Sequence, residues 1–203
     1  MKYYYLIQLM LPLYLCPVFT MAQSARELTN TGIIKAKDKD LTGAIQAYTS
    51  AIALDSTIPE TYFNRAVAEG KLKDFAGAIS DYTKAIKLKK DLDAYYNRAL
   101  MKVEIKDYPG ALDDFEKSYE LKKDKPAFYF LRGNCRYLTK DYQGCIADLT
   151  KAIELKLLYA QAYLIRAFSH LSLKEKNEAC LDFNKAKEMD TPKADDYIMK
   201  YCH

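Results

Sequence analysis

Lys73-Asp74-Phe75-Ala76-Gly77-Ala78-Ile79-Ser80-Asp81-Tyr82-Thr83-Lys84-Ala85-Ile86-Lys87-Leu88 is one of five related stretches in this chain. The others are KDLTGAIQAYTSAIAL (39–54), KDYPGALDDFEKSYEL (106–121), KDYQGCIADLTKAIEL (140–155) and KEKNEACLDFNKAKEM (174–189). Their small residues Ala44, Ala78, Ala111, Cys145 and Ala179 are spaced by 34, 33, 34 and 34 residues. A period of this length marks a stack of supersecondary units rather than one globular core. Within the stretch, Ala78, Ile79, Tyr82, Ala85 and Ile86 fall on one face of an α-helix. Asp40, Asp74, Asp107 and Asp141 stand just before these helices, where a short carboxylate accepts from free backbone N–H groups. Glu175 takes that place in the last unit and is expected to cap less well.

The residues before each such stretch form a second helical half. Tyr62, Tyr95, Tyr129 and Tyr163 stand near its start, and Ala66, Ala99, Gly133 and Ala167 follow four places on. Gly32 holds the small place in the first unit. Small residues facing one another let helix axes approach closely. Pro59, Pro109 and Pro126 all fall in first turns, where a missing N–H is tolerated.

Composition agrees. Half of the 203 residues are apolar, and only 7 Gly and 6 Pro are present, which disfavours a turn-rich β protein. The 31 basic and 27 acidic residues interleave, giving +4, with no basic block of the kind that marks nucleic-acid binding.

Residues 1–22 read as a secretory signal: Lys2, a mostly apolar Tyr3–Phe19, then Thr20-Met21-Ala22 before Gln23. Two rivals stay open. Tyr3–Ala22 is about long enough for an uncleaved membrane anchor, and Leu13-Tyr14-Leu15-Cys16 partly matches a lipid-attachment site on Cys16.

Two charged columns repeat in register. Arg65, Arg98, Arg132 and Arg166 recur in the first helices; Asp81, Asp114, Asp148 and Asp182 recur in the second, always 16 residues later. The first unit has Thr31 and Ala47 there, lacking both members. Each Arg is therefore expected to pair with the Asp of its own unit, because a planar guanidinium meets a carboxylate at two points.

A helix–turn–helix unit of about 34 residues with these small and aromatic columns resembles the tetratricopeptide repeat. The resemblance covers residues 25–193 and implies an all-α, right-handed superhelical solenoid. Its units would be 25–58, 59–91, 92–125, 126–159 and 160–193, with 194–203 as a closing helix. It also implies a concave groove lined by the first helices. Asn30, Asn64 and Asn97 form one groove column, replaced by Leu131 and Ile165 in the last two units. Thr29, Phe63, Tyr96, Phe130 and Leu164 run beside it. Ile33, Val67, Leu100, Asn134 and Phe168 follow one turn on, then Lys37, Lys71, Glu104, Leu138 and Ser172. The groove is thus expected to be polar in its first half and apolar in its second. Amide side chains can bond both the N–H and the C=O of an extended segment. The Lys/Asn clamp by which some family members hold a chaperone's C-terminal carboxylate does not fit: Asn64 and Asn97 fall on one of its places, but Thr29 and Ile33, or Phe63 and Val67, stand where Lys and Asn are needed.

Cys135, Cys145, Cys180 and Cys202 remain after residue 22. If the closing helix docks on the second helix of the fifth unit, Cys180 and Cys202 can approach for a disulfide. No metal-ligand spacing, phosphate loop or nucleophile motif occurs, so neither metal, cofactor, catalytic residue nor small-molecule substrate is expected. The expected function is a non-enzymatic scaffold that binds a peptide or protein surface. The expected place is the periplasm of a Gram-negative bacterium, with secretion or membrane anchoring as alternatives. The rival role is an assembly component of an envelope complex, acting through self-association or stack-end contacts.

Overall fold

A computed structural model describes residues 17–156 and 159–203. Cys16 and most of the candidate signal segment lie outside these residues. Among the described residues there are eleven helices and no strand. They run α1 Pro17–Lys37, α2 Leu41–Leu54, α3 Pro59–Lys71, α4 Phe75–Leu88, α5 Leu92–Glu104, α6 Tyr108–Lys122, α7 Pro126–Leu138, α8 Tyr142–Glu154, α9 Ala160–Ser172, α10 Lys176–Glu188 and α11 Ala194–Tyr201. None is long and apolar enough to cross a membrane. The candidate cleavage point between Ala22 and Gln23 falls inside α1.

Each odd-numbered helix from α1 to α9 packs on the even-numbered helix after it, and each pair packs on the next. First helices also touch first helices of the next pair (α1 with α3, α3 with α5, α7 with α9), whereas second helices do not meet in this way. The first helices therefore line the inner side of the stack.

The turn inside each pair is built the same way five times. Lys39, Lys73, Lys106, Lys140 and Lys174 all adopt a left-handed conformation with φ between 64° and 67°. Lys73 N–H donates to Gly70 C=O (3.0 Å) and Asp74 N–H to Glu69 C=O (2.9 Å), which closes the end of α3. The Asp74 carboxylate then accepts from Gly77 N–H (3.0 Å) and starts α4. Asp40, Asp107 and Asp141 do the same through Gly43, Gly110 and Gly144. One aspartate thus ends one helix and begins the next. Glu175 makes no such cap; its carboxylate meets His170 Nδ1 at 2.7 Å instead.

The core is a stack of small residues and rings. Ala44, Ala78, Ala111, Cys145 and Ala179 are all fully buried, as are Ala66, Ala99 and Ala167 on the facing helices. Tyr48, Tyr82, Phe115, Leu149 and Phe183 fill the spaces beside them. The close approach explains two glycines. A Cβ at Gly32 would come within 2.4 Å of the Tyr48 ring, and one at Gly133 would press on Asp148 and Leu149 at 3.2 Å. α11 covers the far end: Tyr197 and Tyr201 pack on Phe168 and Phe183. A disulfide joins Cys180 on α10 to Cys202 just after α11. Cys135 and Cys145 are free and buried, and burial pushes each thiol up to about 11.

Candidate functional site: a groove on a bolted scaffold

Bidentate ion pairs fasten the two helices of each unit from the second onward. Arg65 Nε and Nη2 donate to Asp81 at 2.6 and 2.9 Å, and Arg98 to Asp114 at 2.8 and 2.7 Å. Arg132 meets Asp148 at 2.9 and 2.6 Å, and Arg166 meets Asp182 at 2.8 and 2.7 Å. All four carboxylates are buried, and Asp114 is 0% exposed. Each guanidinium also lies over the tyrosine three residues earlier, with ring distances of 5.6–5.9 Å.

The third guanidinium nitrogen does something the sequence reading missed. Nη1 of Arg65, Arg98, Arg132 and Arg166 donates to Thr49, Thr83, Glu116 and Thr150 of the preceding unit, at 3.0, 2.8, 3.2 and 2.9 Å. Each arginine therefore bonds across a unit boundary. The signal was available: these acceptors form a column two residues after the aspartates' own register.

A second cation reinforces two of the later aspartates: Lys102 reaches Asp114 and Arg136 reaches Asp148, both at 2.8 Å. In the last unit His170 stands in that place, with Nε2 4.0 Å from Asp182. Burial works against the charged form of Asp114, but hydrogen bonds from Arg98 and Lys102 outweigh it and hold the carboxyl below its ordinary value. In the second unit this place is taken by Glu69, which the sequence reading did not single out. Its side chain is 13% exposed, and its nearest cation is Arg65 at 3.7 Å. Its Oε2 is buried without a hydrogen-bond partner. Burial, with the Asp81 charge beside it and only Arg65 opposing, raises Glu69 to about 7.

The groove residues divide by unit. Asn64 is half-buried and, alone or with its neighbours, borders three adjoining hollows on the inner face. Its amide makes no hydrogen bond to the described chain. Asn97, by contrast, donates one of its two amide N–H groups to Asp93 C=O at 2.8 Å, within its own helix. Asn30 is exposed and shares one hollow with Asn64; Asn134 is half-buried in α7. Val67 and Lys71 line the hollow between α1 and α3. Phe63 packs edge-on to Tyr82 at 5.5 Å. Tyr96 packs on Phe115 and lies under Lys122, 4.8 Å from the ring centre. Leu100 and Phe130 lean half-buried on the central core.

Thr29 borders the hollow shared by Asn30 and Asn64, but it is mostly buried and its hydroxyl is 2.8 Å from that of Thr61. In the last unit Leu164 and Ile165 are 8% and 7% exposed. α11 packs beside Leu164, and a hollow of about 400 Å³ remains, lined by Leu164, Ile165, Phe168, Pro192 and Tyr197. Among the described residues no cluster of His, Cys, Asp and Glu is placed to hold a metal ion.

The family profile described as Tetratricopeptide repeat matches residues 59–92, the second unit. The fold is that of tetratricopeptide repeat proteins. The crystal structure of MamA protein aligns with a TM-score of 0.74 at 21% identity, covering 88% of this chain and 96% of that one. MamA 41-end from Desulfovibrio magneticus RS-1 gives 0.73 at 19% identity over 84% and 97%. YrrB, described as a TPR protein with an unusual peptide-binding site, gives 0.76 at 16% identity over 84% and 92%. No curated protein sequence matches. Five helix pairs, α1–α2 to α9–α10, make up the stack, and α11 packs on α10 where the first helix of a further pair would lie.

Proposed function

We propose that this tetratricopeptide stack is a non-enzymatic scaffold that binds an extended segment of a partner protein against α1, α3 and α5. One observation carries the reading: the Asn64 carboxamide is half-buried, unbonded and set between three adjoining hollows. A free amide so placed can donate to a backbone C=O and accept from a backbone N–H of an extended chain. The peptide-binding site described for YrrB is in keeping with this use of the fold. The signal-like residues 1–22 support export to a periplasm, with an anchor or a lipid on Cys16 as alternatives that mass analysis of the mature chain separates. Affinity capture from the native envelope fraction, compared between the wild type and Asn64→Ala/Asn97→Ala, tests the groove. Loss of the captured partner is expected; unchanged capture refutes the reading.

A second reading is assembly through the stack ends, in an envelope complex. It is favoured by exposed apolar residues on the terminal helices, Ile34 on α1 and Met199 on α11. Size analysis of the mature protein distinguishes the two, since a monomer favours the groove.

A further inference from the structure

We infer that the hollow between α1 and α3 receives an acidic side chain next to an apolar one, presented by an extended protein segment. This rests on the groove reading above and adds the ligand's chemistry to it. The hollow, of 420 Å³, has Ile33, Tyr48 and Val67 in its lining and Lys37, Lys39 and Lys71 around it. None of these three lysines takes part in an ion pair among the described residues, whereas nearby Lys35 is paired with Asp40 at 3.4 Å. Three unanswered cations beside an apolar wall favour an occupant with a carboxylate and a hydrophobic group close together.

The repeats supply their own control. Lysine at a helix C-terminus can serve only to offset the helix dipole. At the place of Lys37 and Lys71 the later units carry Glu104, Leu138 and Ser172, and the last-turn cations they do have, Lys102 and Arg136, are bonded to Asp114 and Asp148. Lysine recurs at the place of Lys39 in every unit, but only the first two units add an unpaired lysine in the Lys37 and Lys71 column. On the other side of Asn64 the groove is acidic: Glu60 meets Lys89 at 4.0 Å and Asp93 meets Lys122 at 3.0 Å, while Asp91 accepts from the Asp93 backbone N–H at 2.8 Å. In the hollow between α1 and α3 the charge left for a ligand to neutralise is positive. Asn64 borders both sides, so a segment that places its acidic residue among the lysines has the amide beside its backbone.

The test uses fluorescein-labelled peptides in a Gly/Ser background carrying Asp-Asp-Leu-Phe, Lys-Lys-Leu-Phe or Asp-Asp-Ser-Ser, with phosphatidylglycerol vesicles as a separate arm. Anisotropy is read at low and high salt, because exposed charge pairs are screened. Only Asp-Asp-Leu-Phe is expected to bind, and Lys37→Glu/Lys71→Glu is expected to weaken it about tenfold or more. Both lysines are exposed, so circular dichroism should show the variant folded. Failure of that peptide to bind, equal binding of the three peptides, binding unchanged by the charge reversal, or preference for the vesicles overturns the inference. If the acidic peptide fails while Asn64→Ala still abolishes capture of the native partner, the ligand class is wrong and the groove stands. If Asn64→Ala has no effect either, both fall.

Discussion

Arg65 and Thr49 are joined across a unit boundary: Nη1 donates to Oγ1 at 3.0 Å while the same guanidinium grips Asp81 within its own unit. One side chain thus ties α3 to both α4 and α2. In a stack where each unit touches only its neighbours, such ties set how cooperatively the array unfolds.

Arg65 and Asp81 should be strongly coupled. Removing either partner leaves a buried charge unanswered, so Arg65→Ala or Asp81→Ala should each cost about 3 kcal/mol. The double variant should lose much less than the sum. Urea unfolding of all four proteins supplies the cycle, and additive losses would show that the pair does not act as a unit.

Thr83 tests the boundary tie separately. Thr83→Val keeps the shape but removes the acceptor that Arg98 reaches at 2.8 Å. The expected loss is about 1 kcal/mol, with earlier hydrogen exchange at the α4–α5 contact than within α3–α4. Uniform loosening of the whole chain would count against a tie that is local to this boundary.

Glu69 should make stability depend on pH. Its carboxyl sits at about 7 in the folded chain, above its ordinary value of 4.5. Between those values the folded chain holds a proton that the unfolded chain has released, so stability falls as pH rises through this window and levels off above it. Glu69→Gln keeps the shape without the charge and should remove that part of the slope. Urea midpoints from pH 4.5 to 8 read the difference; parallel curves for the two proteins would exclude the effect.

The Cys180–Cys202 disulfide encloses a 22-residue separation. By chain entropy, closing such a loop is worth about 3 kcal/mol. Cys202→Ser should therefore weaken protection of α11 and uncover Leu164, read by hydrogen exchange with the wild type under reducing conditions as comparison. Unaltered protection of α11 would mean that ring packing alone holds it.

Much of this was legible because repetition stands in for comparison between proteins. The small columns announced close-packed helix pairs, and Asp74 announced a helix start. The 16-residue offset between Arg65 and Asp81 drew attention to two residues that the folded chain brings within 2.6 Å. What escaped was set by partners rather than by residue type. Lysine carries no signal for a left-handed backbone, so Lys73 and its equivalents gave no hint of how the turn closes. Thr49 drew no attention in the sequence, because what gives it a role is an arginine from the next unit. Glu69 is an acid where the next two units carry Lys102 and Arg136, which matters because Asp81 is beside it. How far α11 would cover Leu164 was not visible, because a short terminal segment shows little of where it will lie.

The aspartate shared by two helices has a consequence for where this chain tolerates change in length. Every turn inside a unit is three residues long, such as Leu72–Asp74 and Ile105–Asp107, and an inserted residue there would undo one helix end and the next helix start together. Connections between units are looser: four residues join α2 to α3, three join α4 to α5, and five join α10 to α11. The single 33-residue spacing in the array arises at the shorter α4–α5 link. Grafted loops, protease sites or new termini therefore belong at that edge of the stack, around Ser56 or Lys90, and not at the lysine–aspartate turns opposite.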